Sequence, residues 1–206
     1  MLKNSKIISK PDIHQASPTM GKVAVVKTEP ENVIEDYEKL LEISNYNEAL
    51  VENNRSLLKV NISWQHYYPA CSTSPWQLDG VIQTLKDDGF ENIIPTHNGT
   101  VVVDAKEGAR NNKHTLVEHK HGLDSVFLEE EEWISFKPSE KMLVLDEIFS
   151  DGIHIPKHLI GKNIIHLPTM KTHVFTTITG AMKNAFGALL DKSRHYCHSR
   201  IHETLV

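Results

Sequence analysis

Apolar positions along the chain fall into two spacings. Short continuous runs, at Lys22-Val23-Ala24-Val25-Val26-Lys27, Ser56-Leu57-Leu58-Lys59-Val60-Asn61-Ile62, Glu91 to His97 and Asn163 to Leu167, are bounded by polar or turn residues. That is the pattern of strands buried on both faces of a parallel sheet. Between them, apolar residues recur at helical spacing. Val33, Ile34, Tyr37, Leu40 and Leu41 follow the acidic start Glu29-Pro30-Glu31, while Leu78, Val81, Ile82 and Leu85 follow Thr73-Ser74-Pro75-Trp76 and stop at Gly89. A hydroxyl cap with proline in the first turn and glycine past the end makes the second of these a well-bounded helix. The alternation predicts an α/β fold, a mostly parallel sheet with flanking helices in Rossmann-like layering.

The middle of the chain reads less regularly. Pro95 suggests that the third strand ends there. Residues Ala105 to Leu116 suit one helix led in by Val101-Val102-Val103. Ser125 to Leu128 and Trp133 to Phe136 suit extended segments either side of the four glutamates Glu129 to Glu132, which read as a solvated turn. Met142 to Leu145 and Gly152 to Ile155 suit further short strands, and Pro156 to Ile160 a single helical turn. Met1 to Met20 lack periodicity and read as a poorly ordered arm, leaving residues 21–206 as a single α/β domain.

Composition narrows the function classes. A formal charge of -5 and a pI near 6.2 lack the basic footprint of a nucleic-acid binder, so no nucleic acid is expected. A small anionic molecule is still admissible, because that depends on local charge. Cys71 and Cys197 form no Cys-x-x-Cys pair, so there is no iron–sulfur cluster motif and no zinc ribbon in this chain. No run approaches the roughly 20 apolar residues of a membrane span, so no membrane partner and a cytoplasmic location are expected. No Gly-rich dinucleotide fingerprint, phosphate loop or nucleophile elbow follows any strand.

Candidate chemistry concentrates between Asn163 and Leu190. The stretch reads as a strand, then a polar turn carrying Lys171, Thr172 and His173, then a helix whose first turn holds Thr176, Thr177, Thr179 and Gly180. Unpaired N–H groups at such a start, with hydroxyls and Lys171, would suit a carboxylate or phosphate; the alternative is one capping threonine and several packing ones. His173, whose reference pKa lies near neutrality, is with Lys171 the catalytic candidate, or else a hydrogen-bonded structural residue. Lys183 shares a helical face with Thr179, facing a crevice or solvent, and Asn184 follows it. Lys59 and Asn61 share one face of their strand, opposite this stretch, with Thr73 beyond. His195, His198 and His202, at i, i+3 and i+7, would line one helix face as metal ligands can, although thirteen histidines make chance clustering common. His119 and His121 beside Glu118 form a weaker grouping. Trp64, Tyr67, Tyr68 and Trp76 suit either an apolar lid over the crevice or a docking contact for a redox or regulatory protein partner.

The segments Leu57-Leu58-Lys59-Val60-Asn61, Thr73-Ser74-Pro75, Leu167-Pro168-Thr169-Met170-Lys171-Thr172-His173 and Thr179-Gly180-Ala181-Met182-Lys183-Asn184-Ala185-Phe186-Gly187 together resemble the family called domain of unknown function 362, over roughly Lys22 to Val206. Val60 and Thr169 depart from it, standing where the family has proline and lysine. The resemblance implies that Lys183 and Asn184 face the site. It also implies that the family's domain continues past Val206, that this chain is a shortened member, and that relatives carry iron–sulfur modules.

Overall fold

The computed structural model describes residues 23–138, 140–190 and 192–205. The expected N-terminal arm lies outside them. Four parallel strands form the sheet, in the order β3-β2-β1-β6: β1 is Ser56–Val60, β2 Ile93–His97, β3 Val126–Phe127 and β6 Asn163–Leu167. All five residues of β1 are buried, as a strand covered on both faces requires.

Helix α1 (Val33–Ser44) and helix α2 (Pro75–Asp87) cover one face. Ser74 caps α2, its hydroxyl accepting from the Gln77 N–H at 3.1 Å, and Pro75 opens the first turn. A Cβ on Gly80 would stand 2.8 Å from the Tyr37 Cβ, so glycine there is what lets α1 close against α2. Leu58, Val60, Leu78, Ile82 and Leu85 form the core on this side, at roughly 1.5–3 kcal/mol for each large apolar side chain buried. By strand alternation Leu57 and Lys59 face the other way, where Leu57 meets Leu128, Leu159 and Ala188 of helix α6 (Ala181–Leu189). Lys59 shares that face one row further on, level with Thr96 of β2 and His166 of β6.

Helices α3 (Ala105–Asn111) and α4 (His114–Lys120) stand where one helix was expected. Lys113, at φ 68°, breaks the run in the left-handed region. Strands β4 (Trp133–Phe136) and β5 (Ile153–Pro156) pair antiparallel, and α5 (Leu145–Ile148) and α7 (Ile201–Thr204) pack with them around Phe186, Leu190 and Cys197. Strands β7 (Lys171–His173) and β8 (Thr177–Thr179) form a hairpin.

Three expectations are corrected. Residues 23–28 form no strand, and Val23 and Val25 are 87% and 85% exposed: an apolar β-branched run becomes a strand only where a neighbour pairs with it. Met142 to Leu145 forms no strand either; it leads into α5, and Val144 buries there. Pro95 lies inside β2, opposite Leu58 on one side, where pairing to β3 on the other side has not begun.

Candidate functional site

Strand β1 has β2 on one side and β6 on the other, and the chain runs β1, β2, β3 before returning to β6. The strand order therefore reverses at β1, which in open α/β sheets opens a crevice beyond the strand ends. A cavity of about 530 Å³ occupies that place, lined by Lys59 and Asn61 of β1 and its exit, Asn98 past β2, the hairpin residues Lys171, His173 and Thr179, and Lys183, Asn184 and Gly187 of α6. The stretch Lys192–Arg200, a 3-10 helix, closes it with Arg194, His195 and His198.

Two chemistries share this lining. Ile62, Trp64, Val101, Val102, Val103, Phe175 and Phe186 make apolar walls. Lys59, Lys171, Lys183 and Arg194 supply the charge, and among the described residues no aspartate or glutamate lines the cavity.

The cations are held in distinct ways. The Lys171 ammonium donates to Asn61 Oδ1 at 2.8 Å and to the Thr169 carbonyl at 3.3 Å. Lys183 Nζ lies 3.5 Å from His198 Nε2 and 5.9 Å from the centre of the Phe186 ring. Arg194 donates to the carbonyls of Leu190 and Gly99, fixing the 3-10 segment against the exit of β2. Lys59 is 2% exposed, and its amine donates to the Val60 carbonyl at 2.7 Å. Burial first, and then the Arg194 charge, bring Lys59 down to about 7, against a smaller opposing pull from Glu129. Lys171 and Lys183 are also lowered, chiefly by burial.

His173 Nδ1 accepts the N–H groups of Phe175 and Thr176 at 3.2 and 3.3 Å, which leaves the neutral ring's proton on Nε2. Burial, then Lys183, His198 and Lys171, lower its pKa and favour that neutral form. His173 is thereby set up as a hydrogen-bond donor. Its ring stacks on His198, with centres 6.0 Å apart.

Of the residues singled out in the sequence, Lys59, Asn61, Lys171, His173, Thr179, Lys183 and Asn184 come together here, with His195 and His198. Thr73 and Thr176 do not line the cavity. The Thr73 hydroxyl accepts the Asn61 N–H at 2.8 Å and donates to the Leu167 carbonyl, tying the ends of β1 and β6 together. Asn184 likewise braces β1, its amide donating to the Lys59 carbonyl at 2.9 Å.

The threonines also change role. They stand in and before β8, and α6 begins only at Ala181. Gly180, Ala181 and Met182 are absent from the lining, so α6 offers the cavity its flank and not its unpaired N–H groups.

His202 lies apart from the other two histidines. In a 3-10 segment side chains three apart eclipse, so the row of His195 and His198 continues to Ile201, which is buried, and leaves His202 exposed on α7. Among the described residues no three of His, Cys, Asp and Glu are placed to hold one metal ion. His119 and His121 stand on and just past α4, with His121 Nε2 2.6 Å from Asp79.

Arg194, Asn98 and the wall Val101 to Val103 were not anticipated. Arg194 sits in no recognisable pattern; only its place between two histidine-bearing turns hinted at it. Of the four aromatic residues, Trp64 lines the cavity, while Tyr67, Tyr68 and Trp76 are more than half exposed elsewhere.

A family model described as domain of unknown function (DUF362) matches residues 57–206, more than half of the chain and the whole of this site. No curated protein and no solved structure matches.

Proposed function

The chain belongs to the DUF362 family, a description that carries no reaction, and from the chemistry of the cleft we propose that it binds a small organic anion with an apolar body. The observation that carries this reading is the lining: four cationic side chains, no carboxylate among the described residues, and an apolar wall opposite, in a chain whose overall charge is -5. Burial disfavours the charged forms of Lys59, Lys171 and Lys183, and a carboxylate or phosphate on the ligand would offset that cost.

Lys171 and Lys183 hold the anionic head, with Arg194 and the Nε2–H of His173 as further donors. Thr179 and Asn184 shape the floor, and Trp64, Phe175 and the valines take the apolar body. At about 530 Å³ the cavity suits a ligand of metabolite size. A role within an enzyme is part of this reading, because titratable groups shifted by burial and by one another gather at functional sites.

The test is thermal stabilisation by phenyllactate, which joins a carboxylate to an aromatic ring. The unfolding temperature of the wild type rises with phenyllactate concentration, and Lys171→Ala with Lys183→Ala removes the rise. Each lysine lost weakens binding about tenfold or more, the worth of a hydrogen bond to a charged group. Equal stabilisation of wild type and double variant contradicts the reading.

A second reading is favoured by the exposure of Tyr67, Tyr68 and Trp76, at 51%, 56% and 52%. They offer a contact for a protein partner, redox or regulatory, outside the cleft. Substituting the two tyrosines by serine would then abolish partner binding and leave phenyllactate binding intact; the reverse pattern dismisses it. Among the described residues no helix is long and apolar enough to cross a membrane.

A further inference from the structure

We propose that Lys59 is a nucleophile, and that its amine condenses with the carbonyl of an oxo-acid held in the cleft. This rests on the anion-binding reading and names the substrate class: a carboxylate carrying a ketone or aldehyde within reach of the cleft floor.

The geometry points to Lys59 in three ways. It is 2% exposed, yet it lines the cavity, so its amine meets a ligand there and little solvent. Its hydrogen bond goes to the carbonyl of its own neighbour, Val60, at 2.7 Å, and among the described residues it makes no ion pair. And cations share its cavity: Arg194, Lys171 and Lys183 line it, against one acid, Glu129, which pulls the other way from outside the lining. A lysine amine becomes a nucleophile where burial and a neighbouring cation disfavour its protonated form, and both conditions are met. The resulting value of about 7 leaves much of the amine neutral near neutral pH, where an exposed lysine is almost wholly charged.

The neighbourhood of Lys59 resists charge on its other side as well. A second cavity of about 120 Å³ lies there, lined by Leu57, Thr96, Ala188 and His166. His166 Nδ1 is buried without a partner, and burial, with Lys59 beside it, brings that imidazole down to about 4. Two groups able to take a proton thus abut, with conditions against either doing so.

The step balances without an outside oxidant or reductant. The neutral Lys59 nitrogen attacks the carbonyl carbon; the new C–N bond forms as the carbonyl π bond breaks, and a nitrogen proton passes to the oxygen to give a carbinolamine. That hydroxyl takes one further proton and leaves as water while the nitrogen lone pair closes the C=N bond. Amine, carbonyl compound and one proton give a protonated imine and water. The cations along α6 and the hairpin keep the carboxylate fixed while the carbonyl reacts.

The experiment is reductive trapping of the full chain with phenylpyruvate and cyanoborohydride, followed by peptide mapping. The expected result is about one equivalent of adduct, on the peptide bearing Lys59. The rate should rise through pH 7 and level off well below the range where surface lysines react, and Lys59→Met should remove that adduct. The wild-type map needs no variant to fold. Adducts confined to Lys171, Lys183 or surface lysines, with Lys59 unmodified, overturn the proposal. Phenyllactate, which lacks the carbonyl, separates the two readings: stabilisation by phenyllactate without a Lys59 adduct overturns the nucleophile alone, and neither stabilisation nor adduct overturns both.

Discussion

Two groups of buried titratable side chains stand near the exits of β1 and β2, and they differ in one respect. The first contains an acid. His97 Nε2 donates to Glu118 at 2.6 Å, His114 Nε2 donates to the Thr73 carbonyl at 2.7 Å, and the two imidazoles stack with centres 5.8 Å apart. Despite burial, which alone would raise it, the Glu118 carboxyl lies below its usual range because His97, Ser125 and His114 hold the charged form. The second group, Lys59, Lys171, Lys183 and Arg194, lines a cavity with no acid in its wall among the described residues. One cluster holds its own acid, although Nδ1 of both His97 and His114 is buried without a hydrogen-bond partner. In the other no carboxylate among the described residues reaches the cavity wall, Glu129 pulling on Lys59 from outside the lining, and it is the one open to a ligand. Polar burial near strand ends therefore does not by itself mark a site; a concentration of one sign facing a cavity does.

Breaking the closed cluster should give the largest effect. Glu118→Ala leaves two imidazoles buried without their acid and should cost about 3–5 kcal/mol of stability, read from chemical denaturation, with no rescue by phenyllactate beyond that of wild type. A loss under 1 kcal/mol would place the two clusters on an equal footing.

Lys59→Met should act in the opposite direction. Lys59 sits at about 7 in the fold against an ordinary value of 10.5, so the unfolded chain binds the extra proton between those values and stability rises with pH across that window. Below pH 7 the penalty of burying the charge is fully present. The variant should therefore exceed wild type by on the order of 3 kcal/mol at pH 6, with the gap closing towards pH 10.5. Denaturation curves of both proteins across that range check the sign; a gap that widens with pH refutes the assignment.

A smaller effect separates the clusters in acid. His114 is lowered to about 4, mainly by burial, from 6.5. The unfolded state takes up this proton first, so the contribution is whole above pH 6.5 and is lost as pH falls towards 4. Glu118, whose value is depressed, loses stability in the same direction. His114→Gln should flatten the acid slope of stability without altering phenyllactate binding at neutral pH, and an altered affinity would tie the two clusters together.

Much of the frame was legible in the sequence. Apolar runs and helical spacing located β1, β2, β6, α1 and α2, because burial on both faces or on one stripe imposes those periods. The same signal misled at Val23 to Lys27, where no described strand pairs with the run, and at Ala105 to Leu116, where Lys113 adopts a left-handed backbone that no apolar spacing records. Within the site, alternation put Lys59 and Asn61 on one face, and the 163–190 stretch yielded Lys171, His173 and Lys183. Thr176 to Thr179 read as a helix start because hydroxyls cap helices, yet threonine is β-branched and equally suits a strand, and the hairpin took them. Arg194 reaches the cavity where the 3-10 segment folds back onto the Gly99 carbonyl, a tertiary contact that leaves no local trace.

The open cluster is tested most directly by calorimetric titration of phenyllactate into the wild type and into the variant carrying Lys171→Ala and Lys183→Ala. The account predicts one site in the wild type, weakened by added salt, and at least about a hundredfold loss of affinity in the variant, from two charged hydrogen bonds at about tenfold each. Equal affinity in both proteins, or no heat of binding in either, would contradict it.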